Sequence, residues 1–134
     1  MYNCRPEKME KVAPDVSQIE YGPFELYNKN LVIDPNSWTY FTYEVDKGQY
    51  DFCYYDIKLQ SKARLFDLYI IPKEDYQSFK DGDSYSYYYR EEEVASVQHS
   101  YGRSDSGEFN VIVKNDNDNS MTIVTSIKMR CFKE

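Results

Sequence analysis

The side chains best suited to chemistry stand in a row at Asp116, Asn117, Asp118 and Asn119, inside the segment VIVKNDNDNSMTIV. Carboxylate and amide oxygens are ligands for calcium, which takes about six to eight of them at about 2.4 Å. A short turn supplies roughly half that number. A calcium site here would therefore need help from other loops, and the acidic candidates by composition are Asp105 and Asp83.

The same run has a simpler interpretation as a turn. Asp and Asn tolerate the left-handed backbone region and hydrogen-bond their own backbone, which suits a connection between two antiparallel strands. The flanking segments are rich in β-branched residues, as strands are. We therefore predict a hairpin turn, and keep a calcium site at Asp116 and Asp118 as the less favoured alternative.

Catalytic groups are sparse. The single His99 cannot build a His-based metal site, and its alternation with Val97 and Tyr101 is typical of a packed strand histidine. The segment SYSYYYREEE predicts an edge strand whose Glu91, Glu92 and Glu93 form a solvated, charged end. No nucleophile elbow, phosphate-binding loop or dinucleotide fingerprint occurs. We predict a protein that is not an enzyme and uses no cofactor, with a small hydrolase as a distant alternative.

The three cysteines, Cys4, Cys53 and Cys131, leave one unpaired in any connectivity and show no C-x-x-C spacing. This argues against a disulfide framework, and the apolar surroundings of Cys53 and Cys131 favour inert thiols. The sequence has neither an N-x-[ST] acceptor nor an apolar segment of signal or membrane-spanning length. Together these features weakly predict a cytoplasmic location.

The composition predicts a β protein that avoids polyanions. Valine and isoleucine outnumber leucine, and 15 Tyr and 7 Phe add side chains that suit a pleated, half-buried surface. The net charge of −7 disfavours nucleic acid and anionic membranes as partners, because both bind through Lys and Arg.

The positions of turn residues predict the architecture. Short strand-like runs are cut by Asp, Asn, Gly and Pro every eight to twelve residues or so, as in a β-sandwich. Pro72 and Gly82 delimit one short helix. We predict an arm over residues 1–20 and a single antiparallel β-sandwich over 21–134, with GOLD-like or jelly-roll connectivity and about eight strands. The strand-like runs lie near 24–27, 30–34, 38–45, 49–60, 65–71, 85–89, 94–101, 108–114 and 121–132.

The run WTYFTYEVDKGQYDFCYYDIKL predicts a hairpin. Asp46-Lys47-Gly48 has the form of a three-residue loop closed by glycine, which would place Val45 opposite Gln49. Side chains on one face would then enter the core: Phe41, Tyr43, Val45, Cys53, Tyr55, Ile57 and Leu59.

The opposite face of that hairpin is the predicted binding surface. It would bring together Trp38, Tyr40, Tyr50, Phe52 and Tyr54, more rings than a solvated sheet face needs. Tyrosine suits recognition because it buries a large area, loses few rotamers and keeps a hydroxyl. The face would bind a partner protein, a second copy of the chain or a sugar, unless the N-terminal arm or a neighbouring strand covers it.

Two later segments resemble Golgi-dynamics (GOLD) domains. RLFDLYIIPKEDYQSFKDGDSYSYYY is similar to a GOLD strand with a V-Y-V-like core that leads into xxYxxFxxG, and SGEFNVIVKNDNDNSMTIVTSIKM is similar to the final G-x-Y-x-V-x-V-x-N strand. The resemblance spans about 38–129 and departs from the pattern at Phe109, where Tyr is commoner. The matching positions are Leu68, Tyr69, Ile70, Tyr76, Phe79, Gly82, Gly107, Phe109, Val111, Val113 and Asn115.

The resemblance implies a sandwich without catalytic residues whose relatives bind other proteins. We therefore expect a non-catalytic interaction or structural module that docks a partner or another copy through its aromatic surface. A carbohydrate-binding module, assisted by calcium if the Asp/Asn turn holds it, is the alternative.

Overall fold

The predicted all-β sandwich is confirmed by the computed structural model, which describes residues 18–134. Two antiparallel sheets of four strands face each other: sheet I in the order β1-β8-β3-β6 and sheet II in the order β2-β7-β4-β5. The strands are β1 Ile19–Ile33, β2 Ser37–Tyr43, β3 Phe52–Ser61, β4 Phe66–Pro72, β5 Tyr89–Val94, β6 Ser96–Arg103, β7 Phe109–Asn115 and β8 Met121–Lys133. The predicted arm lies outside the described residues except for its last three positions, of which 19 and 20 already belong to β1.

The one predicted helix is present where Pro72 and Gly82 delimit it. A 3₁₀ turn over Lys73–Asp75 runs into α1, Tyr76–Asp81. Gly82 adopts a φ of 78°, a left-handed conformation that glycine tolerates without a side-chain clash, and it ends the helix. Its backbone N–H bonds to the carbonyl oxygens of the last turn.

The main core lies between the sheets and contains the predicted face of β3. Cys53, Tyr55, Ile57 and Leu59 are each at most 1% exposed, as the period of two requires. Val45 is buried with them, and Phe41 and Tyr43 are partly buried against the same cluster. This part of the sequence interpretation is confirmed.

The predicted hairpin between β2 and β3 is wrong. β2 pairs with β7 in sheet II, whereas β3 pairs with β6 and β8 in sheet I. The Asp46 turn does form, since the carbonyl oxygen of Asp46 accepts bonds from the N–H groups of Gln49 and Tyr50. It carries the chain from one sheet to the other instead of joining paired strands. The turn itself is therefore predicted correctly, and the pairing of the strands on either side of it is not.

Two strand boundaries also differ from the prediction. The runs near 24–27 and 30–34 belong to one strand, β1, whose register against β8 shifts between Tyr21 and Phe24 and again between Glu25 and Tyr27. The tyrosine-rich run predicted as a strand over 85–89 is mostly a connection. The edge strand β5 begins only at Tyr89 and includes the three glutamates.

The prediction against a disulfide is wrong as well. Cys53 and Cys131 are direct partners on the neighbouring strands β3 and β8, and their sulfur atoms are bonded. They are 78 positions apart in the chain, a spacing that carries no sequence signal. Both side chains face the main core and are fully buried.

Candidate binding surface

The outer face of sheet II is covered by a second, smaller core. Tyr69 and Ile71 of β4 and Ile112 of β7 point away from the main core and pack against Phe79 of α1. The rings of Trp38, Tyr76, Tyr85 and Tyr87 surround this cluster. The helix and the tyrosine-rich connection thus cover the middle of the sheet and leave its β2 side partly open.

An open groove lies at that β2 side. Tyr40, which is 48% exposed, packs its ring against that of Tyr76 at a centroid distance of 4.6 Å. We call this feature the tyrosine groove; it has a volume of about 450 Å³. It is lined by Tyr40, Thr42, Lys73, Glu74, Tyr76, Gln77, Glu108 and Asn110.

The walls of the tyrosine groove are held in place by hydrogen bonds. The indole Nε1–H of Trp38 donates to the hydroxyl of Tyr76 at 3.1 Å, which fixes the ring from behind. Thr42 Oγ1 donates to Asn110 Oδ1 at 2.8 Å, and Lys73 Nζ pairs with Glu108 Oε1 at 3.0 Å. Two rings therefore stand over a floor of polar groups, an arrangement that can stack a ligand and hydrogen-bond its edges.

The five aromatic residues predicted as one surface are not on one face. Trp38 and Tyr40 lie on the outer side of sheet II, with Trp38 half-buried under the helix. Phe52 and Tyr54 belong to β3 of sheet I. Tyr50 is 8% exposed and belongs to the main core. The prediction of one continuous surface failed because it depended on the hairpin that does not form.

The sheet I members build a separate cluster. The ring of Tyr54 meets Phe52 edge to face at 4.9 Å and Phe132 at 6.0 Å, while the guanidinium of Arg130 lies 4.8 Å from its ring centroid. Arg130 also forms a bidentate pair with Asp56, which lowers the pKa of that carboxyl. Phe52 is 3% exposed. These rings pack with each other and leave little surface for a ligand.

Sequence reasoning did not assign Tyr76 to the site. Tyr76 and Phe79 are three positions apart, so they lie on one side of the helix, and both contact β2 aromatics. That spacing can be read from the sequence. The contacts of Tyr76 and Phe79 with β2 cannot, because the β2 aromatics lie more than 30 positions upstream in the chain.

The Asp/Asn run is the predicted turn between β7 and β8. Asn115 directs its Nδ2 to the carbonyl oxygens of Ile33, Asp34 and Asn119 at 2.9–3.1 Å, and its Oδ1 accepts from Asn117 N–H and Nδ2. Among residues 18–134 no group of three or more metal-ligating side chains comes together. Asp116 instead faces Lys114 at 3.5 Å, and Asp118 accepts a 3.4 Å bond from Asn36. Hydrogen bonds account for the turn.

Replacing Asn115 with alanine should lower the free energy of unfolding by about 2 kcal/mol, because three carbonyl oxygens lose their donor in a site with little water. Denaturant unfolding measures this directly. The matched control is Asn119→Ala, whose exposed side chain should cost below about 0.5 kcal/mol. Equal costs for the two variants would contradict the role given to the Asn115 amide.

His99 is packed as the alternation predicts. Its ring stacks on Tyr89 at a centroid distance of 3.6 Å, and burial lowers its pKa. The nearby Glu91 accepts a bond from the hydroxyl of Tyr89.

Comparison with known proteins gives fold-level similarity alone. No model of a known protein family matches the sequence, and no curated protein matches it. The Yersinia pseudotuberculosis-derived mitogen is similar in structure, with a TM-score of 0.50 and 9% identity over 83% of this chain and 84% of that one. The pre-peptidase C-terminal domain of collagenase from Bacillus anthracis aligns at a TM-score of 0.47 and 11% identity, over 79% and 89% of the two chains. Within residues 18–134, no helix combines the length and the apolar character that crossing a membrane requires.

Proposed function

We propose that this chain is a non-catalytic interaction module and that the tyrosine groove is where it docks a partner protein. The structure shows the β-sandwich fold, and the docking role is the proposal. The observation that supports the docking role is the exposed ring of Tyr40, paired with Tyr76 and fixed from behind by Trp38. Exposed tyrosines with restricted rotamers lose little entropy when a partner covers them.

A partner segment would contact both the aromatic rings and the polar groups of the tyrosine groove. An apolar or aromatic side chain of the partner would stack on Tyr40 and Tyr76, and the polar floor at Thr42 and Asn110 would bond its backbone. The groove carries one basic and two acidic side chains, Lys73 against Glu74 and Glu108, so its own charge is mixed. We therefore expect a neutral or mildly basic partner segment.

A carbohydrate is the second candidate, and the same ring pair favours it. The faces of sugar rings present C–H groups that stack on tyrosine, while their hydroxyls bond to amides and carboxylates such as Asn110, Gln77 and Glu108. This reading needs no calcium. It differs from the first in the ligand alone, so one titration separates them.

The test uses Trp38, the single tryptophan of the sequence, as a built-in reporter. Its indole bonds to Tyr76, so a ligand that contacts Tyr76 should change the Trp38 emission. The wild-type protein is titrated with a panel of neutral and acidic oligosaccharides and with a library of extended peptides. A response to peptides supports the first candidate, and a response to sugars supports the second.

Tyr40→Ala is the variant that should lose binding, because it removes one ring of the Tyr40–Tyr76 pair. The position is about half exposed, so the free energy of unfolding should fall by less than about 1 kcal/mol. We expect it to weaken binding at least about tenfold. Tyr21→Ala, which removes a ring that is 38% exposed on sheet I, should leave binding unchanged. A flat emission signal with every ligand, or equal affinity in both variants, would contradict the proposal.

A further inference from the structure

Two pockets of opposite charge lie side by side where the β3–β4 and β7–β8 connections meet. The first has a volume of about 430 Å³, and its only charged lining residues are Lys62 and Arg64. Its wall includes Val124, an outward-facing residue of sheet I that is 50% exposed. A wholly basic lining is notable in a chain whose net charge is −7.

The second pocket has a volume of about 400 Å³ and a wholly acidic set of charges, Asp67, Glu92, Glu93 and Asp116. Asp67 is 7% exposed, and its pKa is raised by burial and by the neighbouring Asp116 carboxylate. Like charges held together in this way are stabilised by an incoming cation.

The two pockets share one end of the sandwich because the same two connections line both. From the β3–β4 side, residues 61–64 line the basic pocket and 65–67 the acidic one. From the β7–β8 side, residues 120–122 and Val124 line the basic pocket and 116–117 the acidic one. Leu65 stands at the boundary and is 50% exposed. An apolar side chain flanked by opposite charges is the pattern of a recognition surface with a central anchor and a polar rim.

This end of the molecule is also held firmly. The side-chain amide of Asn117 donates to the carbonyl oxygen of Leu65 at 2.9 Å, which ties the two connections together. The N–H of Ser61 donates to the carbonyl oxygen of Ala95 at 2.8 Å, and the N–H of Arg64 donates to Ser61 Oγ at 3.3 Å. Preformed surfaces lose less entropy on docking.

We propose that these paired pockets form a self-complementary surface through which a second copy of the chain docks about a two-fold axis. Lys62 and Arg64 of each copy enter the acidic pocket of the other, and the two Leu65 side chains meet near the axis. A two-fold contact requires that one patch carry both halves of each interaction, and adjacent basic and acidic pockets meet that requirement. This surface is separate from the tyrosine groove, so either proposal can fail without the other.

Sedimentation equilibrium over a concentration series tests the pairing with two charge-reversal variants. Lys62→Glu/Arg64→Glu makes both pockets acidic, and Glu93→Lys/Asp116→Lys leaves the second pocket with two basic and two acidic side chains; all four positions are exposed. The wild type should dimerise. Each variant alone should have a dissociation constant raised at least about tenfold. The equimolar mixture should dimerise again, because the introduced glutamates of one variant then face the introduced lysines of the other, and the unchanged basic pocket faces four carboxylates.

The mixture separates this proposal from simple damage. Circular dichroism first checks that each variant keeps the β spectrum of the wild type. A wild type that stays monomeric at every concentration overturns the proposal, as does a dimer that survives either reversal. Folded variants that fail to pair in the mixture would also overturn it, because a dimer held by complementary charges should form again when the reversed charges are combined.

Discussion

Removing the bond between Cys53 and Cys131 should lower the free energy of unfolding by roughly 2–5 kcal/mol. The bond closes a loop across 78 positions, so in the chain-entropy model it strongly restricts the unfolded chain. It also joins the two central strands of sheet I, and both sulfur atoms lie in the main core. The double variant Cys53→Ala/Cys131→Ala should therefore unfold at a much lower denaturant concentration.

Urea unfolding of the wild type, with and without a thiol reductant, gives the same quantity without mutation. Reductant should shift the midpoint of the wild type toward that of the double variant and leave the double variant unchanged. A Cys4→Ser background excludes exchange with the third thiol. Equal midpoints for the oxidised and reduced wild type would contradict the stabilising role of the bond.

Replacing Phe79 with alanine should lower the free energy of unfolding by about 3 kcal/mol or more. Phe79 is the helix residue at the centre of the second core, with ring contacts to Trp38, Tyr69 and Tyr85 at 5.1–5.5 Å. Its loss leaves a cavity under a helix only six residues long, which depends on packing for its stability. The tyrosine groove should loosen too, because Tyr76 lies on the same helix.

Two readouts test this prediction. Denaturant unfolding gives the stability change, and the emission of Trp38 should shift to longer wavelength as water reaches the indole. Phe24→Ala is the matched control: this ring is 39% exposed on sheet I and should cost less than about 1 kcal/mol without moving the Trp38 emission. Unchanged emission and stability in Phe79→Ala would mean that the helix is not held through this ring.

The features that the sequence predicted well are local ones. Alternation along residues 53–59 placed the core face of β3 correctly, because a period of two sends every second side chain to the same side. Gly82 and Pro72 delimited the helix through their backbone preferences. The Asp/Asn turn was assigned from the tendency of such residues to bond neighbouring backbone groups, as the side chain of Asn115 does when its Oδ1 accepts from the N–H of Asn117.

The features that it missed depend on which strands become neighbours. β2 and β3 are consecutive in the chain, and a good turn sequence lies between them, yet the chain crosses there from one sheet to the other. That crossing divided the predicted aromatic surface and left Tyr40 beside a helix residue 36 positions away. The disulfide likewise depends on long-range pairing, because Cys53 lies opposite Cys131 only when β3 pairs with β8.

The disulfide removes one argument for a cytoplasmic location, because such bonds persist in oxidising compartments. The resemblance to GOLD domains stays a prediction. Its matching positions include Tyr76 and Phe79, which carry the helix contacts, and Asn115, which holds the turn.

Nuclear magnetic resonance can locate the residues that bind the ligand and so test the docking role proposed for the tyrosine groove. The ligand that changes Trp38 emission is titrated into labelled protein while backbone amide and indole resonances are followed. We expect the shifts to concentrate at the Trp38 indole and at the amides of Tyr40, Thr42, Tyr76 and Asn110. Shifts concentrated on sheet I around Tyr21 and Phe24, with the Trp38 indole unmoved, would contradict it.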